Sequence, residues 1–350
     1  FKQKTAYEIG VRLVGSEMCI RDRVLGMHRS GTSALTRVIN LLGFSLPKHL
    51  IPPSQHNVKG FWETQSVVDF NDRVLASAGS YWHDWSQFNA EWYSTPLFNA
   101  HVEELKGILL AEFGAVGPIV VKDPRLCRLL PLWLAAFDAL KIAPVAIVPF
   151  RNPLEVSRSL RQRDGFTEGK SFLLWLRHVL DAEQTSRHLP RAFCSYEELL
   201  LDWRRLINCV SQQARLAWPK YSLDTELEIT EFLSAEVRHQ LVSDQDLTTR
   251  TGIPSWVPET YEICRLLSES PNDTVAQERL DLIREEFDRG CRLFGVAARA
   301  EERDADPPLA CRGVCGKVQS HADAHALPRP PARGGIGKLI EAGLKRRTAE

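Results

Sequence analysis

No run of apolar residues in the 350-residue chain reaches the roughly 18 to 20 needed for a bilayer-spanning helix, so no membrane segment is expected. An excess of charge of one sign is also missing. The 44 basic residues balance 44 acidic ones, which removes the general attraction that draws proteins to nucleic acid or anionic membranes. Any anion site must therefore come from local placement. The eight cysteines show no paired spacing, which argues against a disulfide framework and for reduced thiols in a cytoplasmic enzyme. Cys311 and Cys315, with His321 and His325 nearby, come nearest to a metal set but lack the spacing of four zinc ligands. What remains, 44% hydrophobic residues without an internal repeat, is enough to bury the core of one large domain.

The two ends read differently from the middle. Lys2 to Ile9 (KQKTAYEI) and Arg12 to Arg23 (RLVGSEMCIRDR) resemble translated sequencing-adapter DNA, so residues 1–23 are set aside from fold reasoning. The domain is expected over residues 24–298. Residues 299–350 are rich in Ala, Pro and Arg and lack periodicity at first, the composition of a disordered tail; residues 337–347 could close it with a short amphipathic helix.

Within the domain, short apolar runs alternate with helical spacing. Val24-Leu25-Gly26 ends a strand, and apolar Leu35, Val38, Ile39 and Leu42 place a helix over 32–42. Residues 44–60, rich in Pro, Ser, His and Asn, make a surface loop. Further strands are expected at 118–121 and 144–150, each followed by a helix, and a fourth near 192–196. Helices are expected at 67–76, 100–113, 171–187, 200–215, 258–267 and 275–294. Strands alternating with helices predict an α/β fold, a central parallel sheet with helices flanking both faces in three layers. Two strands run into charged residues, Lys122-Asp123-Pro124-Arg125 and Arg151-Asn152-Pro153. Open parallel sheets bind ligands at that end of their strands.

Gly26-Met27-His28-Arg29-Ser30-Gly31-Thr32-Ser33 has the spacing G-x-x-x-x-G-x-S between a strand and a helix, the context a phosphate-binding loop requires. Its backbone N–H groups and the helix N-terminus both favour an anion. Nucleotide triphosphatases carry Lys just before the final hydroxyl residue; here Thr32 stands there and the cation is Arg29. GMHRSGTSAL resembles the 5′-phosphosulfate loop of the PAPS-dependent sulfotransferases, PAPS being 3′-phosphoadenosine 5′-phosphosulfate. The Arg in place of Lys is similar to the carbohydrate and tyrosylprotein branches.

Residues 150–159 (FRNPLEVSRS) strengthen that resemblance, because the family binds its 3′-phosphate with an Arg after a strand and a Ser eight positions later. Arg151 and Ser159 fit that spacing. Taken alone, they read rather as a surface cation and a neutral helix residue, with Arg158 and Arg161 on a solvated face. Tyr196-Glu197-Glu198-Leu199-Leu200 is similar to a further family segment, of structural rather than chemical weight.

The resemblance implies PAPS as co-substrate and no metal. It assigns His28, Arg29, Ser30, Gly31, Thr32, Ser33, Arg151 and Ser159 to the nucleotide. Arg29 and Lys122 are the candidates to stabilise charge in transfer, with a simple ion pair to Asp123 or a nearby carboxylate as the plain alternative for Lys122. Glu63, in Gly60-Phe61-Trp62-Glu63, is the candidate base for the acceptor's proton, with a capping or surface role as the plain alternative. His28, His49, His56, His83 and Asp123 are spare candidates, and Tyr81-Trp82-His83-Asp84-Trp85 could offer ring faces to an acceptor or equally be core. The acceptor itself, whether small molecule, carbohydrate, lipid or peptide, is left open. So are two other classes: a P-loop kinase, which would want Lys at position 32 and an acidic Mg²⁺ ligand, and a non-catalytic nucleotide- or glycan-binding module on the same fold.

Overall fold

Four parallel strands form one sheet in the order β2-β1-β3-β4, where β1 is Ile20–Val24, β2 Ile119–Lys122, β3 Ala143–Phe150 and β4 Arg191–Ser195. The computed structural model describes residues 20–54, 57, 59–114, 117–234 and 244–304. His56, the cysteine and histidine set at 311–325, the expected helix at 337–347 and residues 1–19 lie outside the described residues. Helices α1 (Thr32–Leu41), α2 (Gln65–Ser77) and α3 (Pro96–Phe113) separate β1 from β2, and α4 (Leu126–Ala139) crosses back to β3. Helices α5 (Pro153–Asp164) and α6 (Glu168–Ser186) lead to β4. Then follow α7 (Tyr196–Leu201), α8 (Trp203–Ala214), α9 (Leu223–Ser234), α10 (Asp244–Thr249), α11 (Trp256–Glu269) and α12 (Thr274–Asp304).

The three-layer α/β architecture follows from strand sequences that are apolar on both faces. Along β2 and β3, Val120, Val145 and Ile147 point into a core shared with α1, α8 and α9, while Val121, Ala146, Val148 and Phe150 face α4, α5 and α6. Such two-sided burial is what parallel strands need. β1 is the exception in pattern: its backbone begins at Ile20, ahead of the expected boundary, and IRDRV carries three charged residues at the centre of the sheet.

Consecutive strands β1 and β2 build the sheet one way, and β3 returns to the other side of β1. The winding reverses between β1 and β3, and the crevice outside the carboxyl ends there is where open sheets of this type bind ligands. Residues 25–31 and 151–153 both leave the sheet at that point. Residue 44 onward is less of a surface loop than its composition indicates. Phe44 is buried, and Ser45 extends the sheet beyond β2 by donating to Pro118 O (2.9 Å) and accepting from Val120 N (3.0 Å).

Behind β3 the apolar layer encloses an ion cluster that ties α4, α6 and α12 together. Asp181 meets Arg128 at 3.1 Å, Arg177 at 3.3 Å and Arg284 at 3.1 Å. Burial alone would raise the Asp181 pKa, yet Arg177, Arg128 and Arg284 together pull it below the ordinary carboxylate value. Removing one partner of a buried set strands the others' charge, a loss of about 3–5 kcal/mol. Asp181→Asn should therefore lower the urea-unfolding free energy by about that amount. A change under about 1 kcal/mol would show the cluster to be no better than a surface pair.

Candidate active site

The loop between β1 and α1 is shaped by two close approaches. A side chain at Gly26 would place its Cβ 2.7 Å from Pro149 Cγ and 2.8 Å from Thr32 Cγ2. Gly31, at φ +81°, would put one 2.1 Å from Tyr196 Cδ2. Tyr196, at the start of α7, thus sets how near the loop comes to β4, which gives that residue the structural role its motif indicated. Arg29 also takes a left-handed backbone, φ +69°, a conformation that costs a non-glycine residue of order 1–3 kcal/mol and concentrates at functional sites. No side chain caps α1, so its first N–H groups stay available to a ligand. The Ser30 hydroxyl is buried in the loop, and its Oγ has no hydrogen-bond partner among the described residues.

The loop and the start of α5 are cross-tied. Arg29 Nε donates to Ser159 Oγ at 2.7 Å, and Arg151 Nη1 donates to the Arg29 carbonyl at 3.2 Å. Arg151 is itself oriented by Glu155 (2.7 Å) and lies 4.8 Å over the Tyr196 ring. Asn152 caps α5 by accepting from Leu154 N (3.0 Å), and Pro153 opens its first turn. Arg29 thus meets Arg151 and Ser159, 122 and 130 residues further along the chain, which brings together residues assigned to the nucleotide from two separate signals.

A third guanidinium joins them. Burial lowers the Arg29 pKa first, and the charges of Arg163 and Arg151 lower it further. The motif reading missed Arg163. A signal was there, since Glu155, Ser159 and Arg163 are spaced i, i+4, i+8 and therefore share one face of α5.

Glu63 and Lys122 form a buried ion pair at the end of β2. Lys122 Nζ also reaches Phe61 O at 3.0 Å and Ser33 Oγ at 3.3 Å, which joins strand, loop and α1 at one point. Burial raises the Glu63 pKa; Lys122 pulls against it and Asp123 adds to it, and the net displacement is upward. Trp62 beside it has φ +57° and is held by Arg37, 5.1 Å from its ring. The plain capping role does not describe Glu63, for Thr64 precedes α2 and gives no side-chain cap.

The spare candidates separate. Asp123 is buried and engaged by Arg125, whose backbone N (2.8 Å) and Nη1 (3.2 Å) both donate to it. His49 is exposed and pairs with Glu112. His83 Nδ1 lies 3.3 Å from Lys170 Nζ. His28 is half-buried, its Nε2 enclosed without a partner, and its ring stands edge-on to Trp82 (centroids 4.9 Å apart) and to His178 (6.5 Å). Among the described residues no group of three or more His, Cys, Asp or Glu could hold a metal ion, and no helix is long and apolar enough to cross a membrane.

No protein-family profile matches the chain, and no curated protein matches it. Among solved structures, the sulfotransferase domain from the curacin biosynthetic pathway aligns at a TM-score of 0.38 and 15% identity, over 68% of this chain and 94% of that one. The likeness is distant, and the functional conclusion rests on the side chains instead.

His28 and His178 give this region a pH signature. Burial, then the neighbouring cations, lowers His28 well below its ordinary value, and burial lowers His178 to about 4. Above about pH 6.5 both are neutral folded or unfolded. As pH falls from there, only the unfolded chain takes up these protons, so stability falls until the folded-state values are reached. Thermal melts between pH 8 and 4.5 should show that slope, and His178→Phe should flatten it; an unchanged slope in the variant would contradict the assignment.

Proposed function

We propose that the chain transfers a sulfuryl group from PAPS to a hydroxyl or amine of an acceptor. The observation that carries this is the cross-tie of Arg29, Arg151 and Ser159 beside a loop whose two glycines, Gly26 and Gly31, have no room for a side chain. It sets fixed cations from two strand ends around one crevice. A nucleotide with a 5′-phosphosulfate and a separate 3′-phosphate suits that arrangement. Ser30 Oγ and the N–H groups of residues 30–33 would hold the first, with Thr32 and Arg29; Arg151 and Ser159 would hold the second. The partnerless Ser30 hydroxyl supports this fit, because buried polar groups are ordinarily hydrogen-bonded.

When bound, PAPS supplies an activated sulfuryl group: the acceptor oxygen or nitrogen bonds to sulfur as the bridging S–O bond breaks, and 3′,5′-phosphoadenosine (PAP) leaves with that electron pair. Glu63 takes the acceptor's proton. Its upward-displaced pKa makes it a stronger base than an exposed glutamate. Lys122 orients Glu63 and keeps positive charge beside the reacting groups, and Arg29 offers a forked donor that cannot lose its charge. The kinase alternative is disfavoured on two counts. Thr32 occupies the lysine position, and Asp123, the carboxylate a kinase would turn to Mg²⁺ after β2, is committed to Arg125.

The test is transfer of labelled sulfuryl from PAPS across a panel of hydroxyl and amine acceptors. Glu63→Gln keeps an acceptor for Lys122 and should lower kcat by about 10²–10⁴-fold while PAP binding persists. The wild-type acid limb of kcat/KM should lie above the ordinary glutamate pKa of about 4.3 and disappear in the variant. Equal turnover by Glu63→Gln would remove Glu63 as the base, and no transfer to any acceptor would remove the activity.

A further inference from the structure

Next to Arg29 lies a cluster that the transfer chemistry does not use. Arg163 at the end of α5, Phe166 in the turn after it and Lys170 at the start of α6 meet the Tyr81-Trp82-His83 segment. Trp82 and Phe166 stack on each other at 5.7 Å and 29°. Arg163 sits 5.7 Å over the Trp82 ring, and Lys170 Nζ 4.5 Å over Phe166. His83 accepts from Lys170 and packs on Tyr81, Trp82 and Phe166. The expectation that these rings would offer open faces to a sugar or apolar acceptor does not fit this packing. The faces of Trp82 and Phe166 are taken by each other and by two cations, so the wedge presents charge.

The Arg163 charge is not fully answered among the described residues. Arg163 Nε pairs with Asp164 at 2.8 Å, whereas neither of its terminal amino groups has an acceptor among the described residues. A guanidinium has five donors in a fixed fork suited to two-point binding of a carboxylate, sulfate or phosphate. The wedge is also within reach of the transfer groups. His28, packed edge-on against Trp82, has its pKa lowered first by burial and then by the charges of Arg163, Arg125 and Lys122 among others. The nucleotide's two anionic groups already have the loop and the Arg151/Ser159 pair, so a further cationic pair on the Trp82 side is surplus to it.

We infer that Arg163 and Lys170, mounted on the Trp82/Phe166 wedge, form a second anion subsite that binds a negatively charged group on the acceptor. The substrate class is then hydroxyl or amine compounds carrying a carboxylate, sulfate or phosphate near the reacting group. This rests on the sulfuryl-transfer reading for the word acceptor; the subsite itself is a matter of binding and is testable without turnover.

The probes are 4-hydroxybenzoate and its neutral counterpart 4-hydroxybenzamide, titrated calorimetrically into the full chain with and without saturating PAP. The carboxylate should bind at least about tenfold more tightly, one factor of ten being a modest return for a charge-assisted pair. Lys170→Gln and Arg163→Gln, singly, should each shrink the difference, and the double variant should abolish it while thermal stabilisation by PAP persists. Equal binding of the two probes by the wild type, or a preference that survives the double variant, would overturn the subsite. Loss of PAP stabilisation in the double variant would overturn it too, by assigning these cations to the nucleotide. Absence of PAP stabilisation in the wild type speaks against the sulfuryl-transfer reading alone, because the probe comparison without PAP still decides the subsite.

Discussion

Positive charge gathered at the β1/β3 crevice is the constraint around which the rest is arranged. Three guanidiniums meet there: the charges of Arg163 and Arg151 act on Arg29, and Arg151 and Arg163 pair with Glu155 and Asp164. Like charges in a partly desolvated space repel strongly. An arrangement of that kind is stable because the fold imposes it, and it is relieved when an anion enters. The left-handed backbone at Arg29 and the cramped approach of Gly31 to Tyr196 are local costs of the same arrangement.

The scaffold meets those costs with rigid supports. One face of α5 serves each arginine in turn: Glu155 orients Arg151, Ser159 receives Arg29, and Arg163 follows one turn later. Its start is fixed by the Asn152 cap and Pro153, so the register of that row relative to β3 is set. On the other side of the crevice, the Glu63/Lys122 pair fixes the loop that follows α1, with Phe61 O and Ser33 Oγ completing the lysine's contacts. Behind both, the Asp181 cluster locks α4, α6 and α12. The site is therefore built from strand ends and helix starts rather than from loose loops, which is what precise placement of charge requires.

Much of the frame was legible in the sequence because it depends on local pattern. Short apolar runs marked β2, β3 and β4, helical spacing marked α1, and the glycine loop and the Arg151/Ser159 spacing each pointed at the crevice. What escaped was set by tertiary contact. The Glu63–Lys122 pairing joins residues 59 apart, and nothing in either segment announces it. Helix α9 gave no amphipathic signal because Leu223 and Leu227 are exposed while Ile229 and Leu233 are buried. The Tyr81–Trp85 segment reads equally as open ring faces or as core, since a sequence cannot show that Phe166 stacks on Trp82. Arg163 was passed over as one charge among several on α5, although its spacing from Ser159 carried the information.

In the proposed reading, this crevice takes a nucleotide with phosphates at both ends of its ribose. Competitive calorimetry of PAP against 5′-AMP and Mg²⁺-ATP tests it most directly, in the wild type and in Arg151→Ala. The account predicts that PAP binds at least about tenfold more tightly than 5′-AMP, that Arg151→Ala removes most of that difference, and that Mg²⁺-ATP binds more weakly than PAP. Tighter binding of Mg²⁺-ATP, or a PAP affinity indifferent to both the 3′-phosphate and Arg151, would contradict it.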